Sequence, residues 1–268
     1  MTFAMSRDSY DRYMGRYSDE LASAFVAFVG VSPGMRALDV GCGPGALTEA
    51  LANRLGASRV AAADPSESLL AACAERVSGA DVRLAAAGGL PWPDAAFDVV
   101  ASQLVMNFLP DADAGLQEMC RVARPGGVVS CCTWDYASGM QMLRTFWDAA
   151  LELDAAAPDE GQVMRYCNEA ELAALWVRNG LAEVETIAID VTAAYADFDD
   201  YWIPFTWGGG PGGAYCASLD PQRQQQLRAS CFRRLGAPDG PFTLAARAFA
   251  VRGRQPTGRT QTPRNPRT

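Results

Sequence analysis

The residues with the greatest chemical consequence lie in "ALDVGCGPGALTEAL", positions 37 to 51. An acid, Asp39, sits in an otherwise apolar run, and glycines follow at 41, 43 and 45. Glycines at that spacing let a backbone turn tightly and come close to a bulky ligand. A helix starting behind them would aim its free N–H groups at the same ligand. A second acid, Asp64, ends a second apolar run 23 residues beyond Gly41. A carboxylate there can accept hydrogen bonds from ribose hydroxyls.

Two adenosine ligands meet these terms. As Gly41-x-Gly43-x-x-Ala46 the stretch fits a dinucleotide fingerprint, and the chemistry would be hydride transfer by an NAD-dependent oxidoreductase. As Asp39-x-Gly41-x-Gly43-x-Gly45 it fits a loop for S-adenosylmethionine, and the chemistry would be methyl transfer. The chain has no histidine, and all 23 of its basic side chains are arginine. Hydride transfer to a carbonyl usually recruits a histidine, or a tyrosine with a lysine, as proton relay. Methyl transfer needs neither, because the leaving group is a neutral thioether. Any proton transfer must use Asp, Glu, Tyr, Cys or water. Asp39 favours the second ligand too. A buried carboxylate is costly unless it is hydrogen-bonded or faces a cation. A sulfonium ligand with an ammonium group offers that cation; pinning of the loop's own N–H groups would serve equally, and both fit a methyl-donor site.

Composition narrows the partners. The net charge is −8 over 268 residues, which disfavours phosphate backbones, so no nucleic acid is expected. Eight cysteines, at 42, 73, 120, 131, 132, 167, 216 and 231, show no Cys-x-x-Cys spacing. Without histidine they argue for buried free thiols in a reducing compartment and against a metal site. No apolar run is long enough to cross a bilayer, and "MTFAMSRDSYDRY" lacks the order of a signal peptide. The expectation is a cytoplasmic protein without a membrane partner. A small-molecule substrate is expected, and a homodimer is left open. From Arg252 onward the chain carries five arginines and no acid, so 254–268 reads as a disordered basic tail.

The positioning elements follow from apolar spacing. Strands are expected at 36–41, 58–64, 81–86, 96–105, 127–134, 181–190 and 242–253. Helical patterns fill most of the gaps, with Ser66 as an N-cap. Alternation of this kind means βαβ units and a parallel sheet. The fold class is therefore α/β: a Rossmann-like, seven-stranded, mostly parallel sheet with helices on both faces. A helical cap is expected at about 192–240, before the last strand. Residues 1–30 form an N-terminal helical cover, and 31–253 form the main domain.

Four ordered motifs complete the pattern: "ALDVGCGPGALTEAL", "AAADPSESLL", "LPWPDAAFDVVASQLVMNFLPD" and "GLQEMCRVARPGGVV". Together they resemble the class I S-adenosylmethionine-dependent methyltransferases, in the branch similar to the ubiquinone/menaquinone-biosynthesis (type 11) enzymes. The resemblance runs from about residue 10 to 135, and more loosely to about 252. It implies that Gly41, Cys42, Gly43 and Gly45 wrap the methionine part of the cofactor, that Asp64 holds the ribose, and that Pro65 and Ser66 shape the adenine edge. Gln103 would contact the cofactor, and Asn107 would face substrate. The family's Gly-Asp-Ala after the third strand is replaced here by Ala85-Ala86-Ala87, so backbone near Ala86 and Ala87 would have to hold the adenine. That departure keeps open a cofactor-binding protein that catalyses another reaction or acts as a binding module. In "SYDRYMGRYSDEL", Tyr13 and Arg16 would close over the cofactor, unless they are a helix surface with aromatic anchors.

The substrate side should lie at the carboxyl ends of the strands. Trp134 ends the fifth strand, and Tyr201, Phe205 and Trp207 lie in the aromatic stretch 195–215. Such rings form either a pocket for a flat or apolar substrate or the core of the cap. Asp135 is the expected base if the acceptor is a hydroxyl; its alternative role is to cap the next helix.

Overall fold

A computed structural model describes residues 11–257. Expectations for residues 1–10 and for most of the basic tail lie outside the described residues. A π-helical turn, Asp11–Gly15, leads into the helix Arg16–Val29. The strands are β1 (Ala37–Val40), β2 (Val60–Asp64), β3 (Asp81–Leu84), β4 (Phe97–Gln103), β5 (Ala123–Trp134), β6 (Ala182–Tyr195) and β7 (Phe242–Arg254).

They form one sheet in the order β3-β2-β1-β4-β5-β7-β6. β1 to β5 pair in parallel, and β7 runs antiparallel to both neighbours. Both faces are covered, which explains why β1 and β2 are buried throughout and read as unbroken apolar runs. Alternate residues serve opposite cores. Ala37, Val99, Ala101 and Trp134 face the side of the N-terminal helix; Leu38, Val40, Val100 and Val129 face the other.

Two strands differ from the sequence expectation. β5 starts at Ala123, ahead of Pro125-Gly126-Gly127, because Ala123 already pairs with Phe97 before the register shifts. β6 continues to Tyr195, because β7 offers it a partner as far as Phe242. Residues 192–195 therefore belong to the sheet rather than to the inserted segment.

Three helices lie between β6 and β7: Phe198–Thr206, Gly210–Ser218 and Pro221–Arg234. Asp197 and Asp220 cap the first and third, accepting from Asp200 N at 2.8 Å and Arg223 N at 2.9 Å. Phe205 stacks on Phe146 of the helix Gln141–Leu153 at 4.3 Å, and Tyr201 donates to Met142 O at 3.1 Å. Among the described residues no helix is long and apolar enough to cross a membrane.

Candidate functional site

The strand order reverses between β1 and β4, so their carboxyl ends diverge and open a crevice. The loop Gly41–Gly45 forms one wall. Gly41 N and Cys42 N both donate to Ala63 O, at 2.8 and 3.0 Å, which ties the loop to β2. Gly41 (φ +76°) lies so close to Val105 that a Cβ would sit 2.5 Å from its Cγ2. Gly43 (φ +52°) is different: a Cβ there would meet nothing within 4 Å, because it opens into the crevice.

Two connected cavities share Gly41, Gly43, Pro44, Gln103 and Leu104. The polar one, about 470 Å³, is also lined by Arg16, Asp19, Asp39, Cys42, Glu49 and Arg76. Arg76 bridges Asp19 and Glu49, each at 2.7 Å. The apolar one, about 310 Å³, is walled by Met14, Leu69, Val105, Phe108, Trp134 and Tyr136, with Asp64, Pro65 and Ser66 at one end.

Asp39 is 0% exposed. Thr48 Oγ1 donates to its Oδ2 at 2.7 Å. Its Oδ1 has no hydrogen-bond partner among the described residues. Burial pushes this carboxyl up to about 8, against the pull of the Thr48 hydroxyl. Gln103 donates from Nε2 to Ser18 O at 3.1 Å, so it ties β4 to the N-terminal helix. Its Oε1 also lacks a partner among the described residues, as does Trp134 Nε1. Each of these three orphan atoms belongs to a residue that lines the crevice, where a bound polar group would satisfy it.

Asp64 ends β2 and is 7% exposed. Its Oδ2 accepts from Gly43 N at 2.9 Å and its Oδ1 from Ser66 N at 2.8 Å. Each oxygen keeps a further lone pair for a ligand hydroxyl. Burial raises its pKa, and the two backbone hydrogen bonds hold it back. Ser66 caps the helix Glu67–Arg76, accepting from Leu69 N at 3.5 Å.

Several residues singled out in the sequence stand elsewhere. Tyr13 is buried edge-on to Phe205 at 5.3 Å and lines neither cavity. Arg16 lines the polar cavity, but its guanidinium is held by the Asp200 carboxylate at 3.1 and 3.2 Å and lies 4.1 Å over the Tyr195 ring. Tyr201 and Phe205 are fully buried, so they are the aromatic core of the inserted helices rather than pocket walls. Trp207 is 38% exposed, with the Arg12 guanidinium over its ring. Asp135 accepts from Ser138 N at 2.9 Å and Ser138 Oγ at 2.7 Å, so it organises its own turn. Asn107 lines a separate cavity with Arg165, Tyr166 and Arg178. Ala86 is exposed, and Ala87 packs into the core beyond the crevice. Gly45 backs onto Cys73. Sequence reasoning missed Thr48, Phe108 and Tyr136. Thr48 had a signal: a hydroxyl three residues into the helix behind the loop, beside a strand carrying a lone acid.

A sheet of this order, with one antiparallel strand and a glycine loop at the reversal, is the class I methyltransferase fold. Residues 38–131 match the type 11 methyltransferase-domain family model. The match favours the methyl-donor reading over the dinucleotide one. A demethylmenaquinone methyltransferase of Shouchella clausii is 41% identical over 107 residues, covering 38% of this chain and 46% of that one. A malonyl-[acyl-carrier protein] O-methyltransferase of Serratia marcescens is 33% identical over 144 residues, covering 54% of this chain and 51% of that one. The chain spans about half the length of the curated relatives it matches. A solved structure from Anaeromyxobacter dehalogenans shares the fold, with a TM-score of 0.64, 21% identity and coverage of 91% of this chain and 98% of that one.

Proposed function

We propose that this chain transfers a methyl group from S-adenosylmethionine to a small apolar or aromatic acceptor. The observation that carries the proposal is Asp39: a buried, half-satisfied acid beside the polar cavity, at the point where the sheet order reverses. A cation-bearing ligand gives such an acid the partner it lacks. Gln103 Oε1 is a second acceptor in need of a donor. The residues present therefore fit the methionine end of the cofactor. Asp64 would accept from the ribose hydroxyls, with Pro65, Ser66 and Leu69 beside the adenosine. Gly41, Cys42 and Gly43 would offer close backbone.

When bound, S-adenosylmethionine supplies a methyl on a positively charged sulfur, poised to leave a neutral thioether. The chain's own contribution is to align and to exclude water. Met14, Leu104, Phe108 and Tyr136 give the apolar cavity a dry wall. Trp134 Nε1 is a buried donor with no other partner among the described residues, suited to an oxygen of the acceptor. The relative named for demethylmenaquinone supports an acceptor that is aromatic and apolar. Asp135 is engaged by Ser138 and lines neither cavity, which supports in-line attack by an already nucleophilic carbon, nitrogen or oxygen.

The test is methyl transfer from label on the cofactor methyl to a panel of phenols, quinols and apolar acids. Label should move to at least one of them, and Trp134→Phe should raise KM for that acceptor more than for the cofactor. Label that stays on the cofactor across the panel would favour a protein of this fold that binds without methylating.

A further inference from the structure

Two thiols meet at the cofactor loop and have no part in methyl transfer. Cys42 stands between Gly41 and Gly43, is 6% exposed and lines the polar cavity. Cys73, on the helix Glu67–Arg76, is fully buried behind it. The two pack with Ala62 in a small cluster of their own, separate from both main cores. Cys73 Sγ also presses on the loop: a Cβ at Gly45 would lie 3.1 Å from it. It donates to Thr48 Oγ1 at 3.5 Å, and Thr48 donates in turn to Asp39. Of the eight cysteines, Cys42 is the one that lines either crevice cavity.

We propose that Cys42 and Cys73 form a reversible disulfide under peroxide, and that this bond shuts the S-adenosylmethionine loop. The proposal rests on the cofactor reading given above. The polar cavity admits a small oxidant to Cys42. The Cys42 sulfur attacks one peroxide oxygen, an S–O bond forms and the O–O bond breaks. Its thiol proton joins the departing hydroxide, leaving one water and a sulfenic acid on Cys42. The Cys73 sulfur then attacks the Cys42 sulfur, forming S–S and breaking S–O; the Cys73 proton leaves with the hydroxide as a second water. Each sulfur is oxidised by one electron, and the peroxide is reduced by two. Cys73 packs directly behind Cys42 in the same small cluster, which places its sulfur for this second attack.

The consequence follows from bond geometry. A disulfide fixes its Cβ atoms at roughly 3.5–4.5 Å with a defined dihedral. The loop is held by two backbone hydrogen bonds to Ala63 O and by glycines in the left-handed region. Drawing Cys42 onto the Cys73 helix strains those two hydrogen bonds and shifts the backbone that would lie against the methionine end. An occupied cavity, conversely, shields Cys42.

The experiment treats the full chain with hydrogen peroxide, with and without S-adenosylhomocysteine, then maps peptides by mass spectrometry without reduction. A Cys42–Cys73 cross-link should form, should be suppressed by S-adenosylhomocysteine and should weaken its binding at least about tenfold, the loss of roughly one charge-assisted hydrogen bond. Dithiothreitol should restore binding. Peroxide should leave binding by Cys73→Ser unchanged. Normal binding by reduced protein with no mapped cross-link overturns the disulfide. A mapped cross-link without loss of affinity, or an equal loss in Cys73→Ser, overturns the gating. Failure of the reduced wild-type protein to bind S-adenosylhomocysteine strikes the methyltransferase reading instead.

Discussion

Replacing Asp39 with asparagine should remove a pH dependence of stability that the wild-type chain carries in its centre. The folded carboxyl titrates near 8 because it is buried, with one oxygen bonded only to Thr48 and the other unpartnered among the described residues. In the unfolded chain the same group titrates at about 3.9. Below that value both states hold the proton and the group contributes no pH dependence. Above it the unfolded chain releases the proton while the folded chain keeps it, so stability falls as pH rises, until the folded carboxyl also ionises. The slope is at most about 1.4 kcal/mol per pH unit, so from pH 5 to pH 8 the ceiling is about 4 kcal/mol. Asparagine has the same shape and can still accept from Thr48, but it does not titrate. Urea unfolding followed by tryptophan fluorescence, at steps from pH 5 to pH 8, measures the effect. The difference between the two proteins should move in favour of Asp39→Asn by roughly 2–4 kcal/mol across that range. Parallel stability profiles for wild type and variant would refute the reasoning.

Three further outcomes follow. Asp64→Ala removes the acceptor for Gly43 N and Ser66 N as well as for the ribose, and should weaken S-adenosylhomocysteine binding by about 1–3 kcal/mol in calorimetry. Gly43→Ala places a methyl group in the crevice at φ +52°, costing about 1–2 kcal/mol of stability by urea unfolding. Its ligand affinity should fall by more than that backbone cost. Phe205→Ala empties a fully buried ring site beside Phe146 and Tyr13 and should cost about 3–5 kcal/mol of stability, with KM for the cofactor little changed at a temperature where the variant stays folded.

Much of the fold was legible because parallel strands covered on both faces cannot hide. "ALDV" and "VAAAD" read as buried strands for that reason. Strand ends were less legible, since β6 is prolonged by its pairing with β7 and not by anything in its own composition. The site divided along similar lines. Gly41, Gly43 and Asp64 announce themselves, because a turn and an acid at a strand end are local facts. The aromatics did not: Tyr201, Phe205 and Trp134 look alike in a sequence, yet two fill a core and one lines a cavity. The ion pair of Arg16 was hidden for a related reason. Its partner Asp200 is far along the chain, and no spacing rule connects them. Thr48 was readable only by asking what a lone acid inside β1 bonds to.

The most direct measurement is a calorimetric titration of the full, reduced chain with S-adenosylhomocysteine at neutral pH, repeated in two buffers of different ionisation enthalpy. One site should fill, and a proton should leave on binding, because the ligand's ammonium draws it from Asp39. Asp39→Asn should show no such release. Absence of binding heat and of thermal stabilisation with S-adenosylhomocysteine, together with stabilisation by NADH, would contradict the account.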